Sequence, residues 1–144
     1  MSTFNLKYEH ARLLFFAAWA KYKNHDELSD MEHNALKVIL LHPEHHYMFE
    51  EPDKYLHREY PSSEPKDNPF LHMSLHLVIE EQLVIDQPPG IREQFEQILA
   101  KFKSRHETLH VILDCLAEVM WWSQRSETPP DGDVYLECLK LRQD

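Results

Sequence analysis

Only two glycines, Gly90 and Gly132, occur among 144 residues. A chain of hairpins needs residues that accept positive φ at its tight turns, and glycine is the usual one. The scarcity therefore argues against a strand-rich fold. The apolar residues agree, because they recur at helical rather than alternating spacing. The sequence predicts an all-α, single-domain helical bundle of five to six helices over residues 1–144.

Local signals place the helices. A first helix is expected from about Asn5 to Asn24. Ser29-Asp30-Met31-Glu32 reads as a capping box that opens a second, which should stop near His42 because Pro43 disfavours helix at the residue before it. A short helical turn follows through Glu44 to Phe49. Residues 50–67, with Pro52, Pro61 and Pro65, read as an irregular loop. Asn68-Pro69 opens a third helix, as N-cap and first helical residue, running to about Ile85. A fourth covers about Ile91 to Lys103. Ser104-Arg105-His106-Glu107 reads as a second capping box for a fifth helix reaching about Arg125, a kink between the two being the alternative to a full break. A last short helix holds Val134, Leu136, Leu139 and Leu141.

Two of these helices carry the same ladder. His72, His76 and Glu80 lie four residues apart on the third, and His106, His110 and Asp114 on the fifth. Four residues advance a helix by slightly more than one turn, so each ladder forms one slowly drifting stripe whose neighbours can reach a shared ion. On a helical wheel His72 and His76 fall within the stripe of Leu75, Ile79 and Leu83. His106 and His110 are bracketed by Leu109, Leu113, Ala117, Met120 and Trp121. Both ladders are thus expected to look inward. Buried imidazoles need partners, and a divalent metal satisfies one nitrogen on each ring. Helical bundles build such sites from inward side chains. Mixed imidazole and carboxylate donors without thiolate suit non-haem iron or zinc.

The reading is therefore a metal-binding helical protein with ligands His72, His76, Glu80, His106, His110 and Asp114. Glu32, or one of His42, His45 and His46 with His46 the choice, is the candidate to complete the site, although the capping box explains Glu32 equally well. The alternative is a non-enzymatic helical interaction module with structural or pH-responsive histidines. Whether the protein is an enzyme stays open. Glycine-rich phosphate loops and nucleophile elbows are absent from the sequence.

Charge and cysteine usage narrow the partners. Acidic residues number 25 against 15 basic ones, for a net charge of −10, with no basic run to neutralise phosphates. Nucleic acid and membrane are not expected partners, and no apolar run is long enough to span a bilayer. Met1-Ser2-Thr3-Phe4-Asn5 lacks a signal-peptide pattern. Cys115 and Cys138 do not form a C-x2-C pair, so neither a disulfide nor a cysteine zinc site is expected and the cytoplasm is the expected compartment.

The stretch Asn68-Pro-Phe-Leu-His-Met-Ser-Leu-His-Leu-Val-Ile-Glu-Glu-Gln-Leu-Val-Ile-Asp-Gln-Pro-Pro-Gly-Ile91 resembles a long motif of a bacterial family known as domain of unknown function 1841. Leu41-His-Pro-Glu-His-His46, His106 to Trp121 and Tyr135-Leu-Glu-Cys-Leu139 resemble the same family. That resemblance implies a compact bacterial protein and no assigned activity. A looser one, to hemerythrin-like di-iron bundles, rests on His76 with Glu80 and His106 with His110. It departs from them in lacking a clear His-x4-Asp.

Overall fold

The computed structural model describes residues 8–60 and 65–143. Among them lie eight α-helices, two 3-10 turns and no strand. The helices are α1 (Tyr8–Lys23), α2 (Asp30–Leu41), α3 (His46–Phe49), α4 (Pro52–Tyr55), α5 (Pro69–Ile85), α6 (Ile91–Phe102), α7 (Arg105–Ser126) and α8 (Gly132–Leu141). The all-α class holds, and the helix count exceeds the expected five to six. The surplus comes from α3 and α4, single turns of four residues each. The loop expected at 50–67 is therefore partly helical, with Pro52 starting α4 and Pro65 starting a 3-10 turn, Pro65–Asp67. Proline is well suited to a first helical position, where its missing N–H has no partner to lose. Pro61, Met1–Asn5 and the expected first turn before Tyr8 lie outside the described residues.

The chain forms two compact units, one within Leu6–Leu77 and one within Val78–Asp144, and their boundary falls inside α5. In the first, α1 packs on α2. Ala11, Phe15, Ala18 and Trp19 of α1 are buried at the spacing of one helix face. Ala35, Leu36, Val38 and Ile39 answer them from α2, and Met48, Phe49, Phe70 and Met73 complete the core. The predicted capping box at Ser29 is formed in both directions. Glu32 Oε1 accepts from the Ser29 N–H at 2.8 Å, and Lys21 Nζ of α1 lies 2.9 Å from Oε2. Those partners explain how a carboxylate sits on the buried face of α2.

In the second unit α6, α7 and α8 pack on one another. α6 and α7 are separate helices rather than one kinked helix. Lys103, with φ 59°, ends α6, and the Ser104 hydroxyl accepts from the Glu107 N–H to begin α7. Asp131 caps α8 by accepting from the Asp133 and Val134 N–H groups. α8 buries Tyr135 and Leu139 completely, and the Tyr135 hydroxyl donates to Gln82 Oε1 at 2.8 Å. Burial pushes the Tyr135 hydroxyl far above its usual range, so it keeps its proton.

Cys115 of α7 and Cys138 of α8 form a disulfide, with Cα atoms 5.8 Å apart. This overturns the expectation of unpaired cysteines. The two lie 23 residues apart, and the packing of α8 on α7 brings them together. Disulfides persist in oxidising surroundings, so the cysteines no longer support a cytoplasmic location. No helix among the described residues is long and apolar enough to cross a membrane.

Candidate metal centre

The middle of α5 is buried on every side, from Met73 through Glu80 apart from the partly buried Leu77. Its polar residues are therefore enclosed along with its apolar ones. His76 is 1% exposed and His72 is half-buried. The Asn68 side chain accepts from the Leu71 N–H, which fixes the first turn and hence the phase of the stripe.

The third imidazole comes from the end of α2. His42 continues the buried stripe of that helix, three residues after Ile39 and seven after Ala35. Pro43 forces it out of helical geometry, to φ −123° and ψ 66°. Its ring folds back so that Nδ1 lies 2.8 Å from the Val38 carbonyl, and the side chain is 2% exposed. A carbonyl only accepts, so Nδ1 carries the proton, and the neutral form of the ring then presents the lone pair of Nε2. A carbonyl that orients the far nitrogen is the usual support of a ligating histidine.

The three rings meet at their Nε2 atoms. His72 Nε2 lies 3.1 Å from His42 Nε2 and 3.2 Å from His76 Nε2. Ring centroids are 4.6–4.9 Å apart, with the His42 and His72 planes nearly perpendicular. Rings that carry their protons on the far nitrogens turn three Nε2 lone pairs toward one another. A cation takes all three lone pairs at once. Tetrahedral zinc–nitrogen bonds of about 2.0–2.1 Å put neighbouring nitrogens about 3.3–3.4 Å apart, so the observed spacings need little adjustment. The donors fit the group.

The other predicted ligands are placed differently. Glu80 is buried, and both its oxygens lie 3.0–3.1 Å from Arg105 Nη2. On α7 the buried residues are Thr108, Leu109, Ile112, Leu113, Cys115, Leu116 and Val119. The centre of that face is near Ile112 and Leu116, and His110 and Asp114 lie roughly 160° from Ile112 on the wheel. His106 and Asp114 are accordingly exposed, and His110 is half-buried with its ring 4.3 Å from that of His106. The inward reading of the α7 ladder counted Leu109, Leu113 and Ala117. It gave too little weight to Ile112, Leu116 and Val119, which form the more continuous stripe.

Neither Glu32 nor His46 joins the three rings. Glu32 is engaged by Ser29 and Lys21, which hold its carboxyl below the ordinary range, the backbone N–H contributing most. His46 Nε2 lies 2.8 Å from the Ile39 carbonyl, and its ring packs 4.7 Å from Trp19. His45 stacks on His42 at 6.0 Å, and burial lowers its pKa against the opposing pull of Glu44. Sequence reasoning chose His46 from the trio His42, His45 and His46, and the register of His42 with Ala35 and Ile39 was the signal that would have singled out His42.

A family model described as a domain of unknown function, DUF1841, matches residues 7–141. No curated protein and no solved structure matches the chain, so the likeness to hemerythrin-like bundles gains no support. The match spans nearly the whole sequence, and the chain belongs to the DUF1841 family.

Proposed function

For this member of the DUF1841 family, we propose that it binds one divalent transition metal, zinc or iron, through His42, His72 and His76. The observation that carries the reading is the convergence of three Nε2 atoms, with His42 turned into place by its bond to Val38. Glu80, held by Arg105, and the exposed His106 and Asp114 have no ligand role.

Neutral imidazoles leave the full charge on the ion, which would make it a Lewis acid when bound. The chain's own contribution is to orient the rings and to exclude water from two of them, since His42 and His76 are buried. The three-histidine set leaves a position for water or substrate.

Elemental analysis of protein purified without chelator tests the proposal. It should find close to one zinc or iron per chain, and added metal should raise the melting temperature of the stripped protein. Absence of stoichiometric metal, with no response to zinc, iron or manganese, would favour the reading in which the histidines serve a non-enzymatic interaction module.

A further inference from the structure

α8 is joined to α7 by the Cys115–Cys138 bond, and the two sulfurs differ in access. Cys115 is fully buried, whereas Cys138 is half-buried. A reductant therefore reaches Cys138 first. Beneath α8 lies a polar pair. Gln82 and Tyr135 are both fully buried and bonded to each other, yet the Gln82 amide nitrogen has no hydrogen-bond partner. A buried donor without an acceptor opposes the docked state, because it would regain water if the helix moved away. The noncovalent contacts of α8 include the buried Tyr135 and Leu139, the Lys101 Nζ bond to the Arg142 carbonyl at 3.1 Å, and the Gln143–Gln94 bond.

We infer that the Cys115–Cys138 disulfide is a redox latch that keeps α8 docked over the Gln82–Tyr135 pair, and that reduction by a dithiol frees the helix. A thiolate of the reductant attacks Cys138 Sγ, the Cys115–Cys138 bond breaks, and Cys115 leaves and takes a proton. The second thiol then attacks the mixed disulfide, Cys138 leaves as its thiol, and the reductant closes to a cyclic disulfide. The protein gains two electrons and two protons. The latch stands independently of the metal proposal, since none of its residues is a proposed ligand.

Hydrogen exchange with mass spectrometry on the full chain, oxidised and then reduced with dithiothreitol, tests this. Peptides of α8 should exchange about tenfold faster after reduction, while those of α1 and α2 stay unchanged. Cys138→Ser should match the reduced wild type. If that variant does not fold, reduced wild type alone supplies the reading. The paired change Gln82→Leu with Tyr135→Phe removes the unpartnered donor, so reduction should then accelerate α8 exchange by less than about threefold. The latch is overturned if reduction leaves wild-type α8 exchange unchanged, or if the paired variant opens as far as the wild type. It is likewise overturned if Cys115 and Cys138 are free thiols in protein kept in oxidised glutathione.

Discussion

The ladders His72–His76–Glu80 and His106–His110–Asp114 have the same spacing, and the chain uses them differently. On α5 the first runs through a segment buried on every side, so His76 and Glu80 are enclosed and each has a partner. On α7 the second lies off the buried stripe, so His106 and Asp114 face solvent and only His110 is half-buried. Equal spacing guarantees a shared face. Which face is buried depends on every apolar residue of the helix, and α7 has a stronger stripe through Ile112, Leu116 and Val119. The third imidazole comes from neither ladder but from His42, where a proline ends α2.

Substitutions that treat the two ladders alike should separate them most. His76→Ala and His42→Ala should each abolish stoichiometric metal, whereas His106→Ala should leave it intact. In wild type, metal at about a hundred times its dissociation constant adds roughly 2.7 kcal/mol, which raises the melting temperature by roughly 5–10 °C. Calorimetric scans with and without zinc should show this rise in wild type and His106→Ala and lose it in the other two. A normal metal response in His76→Ala would remove the distinction between the ladders.

The carboxylates sharpen the comparison at smaller amplitude. Glu80→Ala removes the partner of Arg105 from a buried position and should cost roughly 1–2 kcal/mol in urea unfolding of metal-free protein, the half-exposed arginine keeping the loss modest. Asp114→Ala, at an exposed position, should stay within about 0.5 kcal/mol of wild type. Equal losses would show that burial does not separate the two ladders.

The smallest effect lies at Glu32, whose folded pKa is depressed by the Ser29 N–H first and Lys21 second. A depressed carboxylate stabilises the fold above its unfolded value of 4.5, and this contribution is lost as pH falls through the lower folded value. Glu32→Gln should therefore be slightly less stable than wild type at pH 7, and the gap should close below pH 4.5. A gap that widened in acid would mean the sign is wrong.

These contrasts also mark how far the sequence was legible. α5 was predicted from Asn68-Pro69 to Ile85 and runs from Pro69 to Ile85, because cap, proline and apolar run all agree there. His72 and His76 were legible for the same reason. His42 was not, because its role depends on the chain leaving helical geometry at Pro43, and three histidines crowd that corner. Glu80 was legible as buried but not as paired, since Arg105 lies 25 residues away on another helix. The disulfide was hidden likewise, because the pairing depends on the packing of α7 and α8 and carries no local motif.

X-ray absorption at the metal edge of zinc- or iron-loaded protein tests the central claim most directly, because it counts the donors. Three imidazole nitrogens at about 2.0–2.1 Å for zinc, with the outer-shell scattering of imidazole rings, is the predicted result, and His42→Ala loaded with excess zinc should lose one of them. A first shell dominated by carboxylate oxygen or sulfur would contradict the histidine site, as would a wild-type spectrum that His42→Ala leaves unchanged.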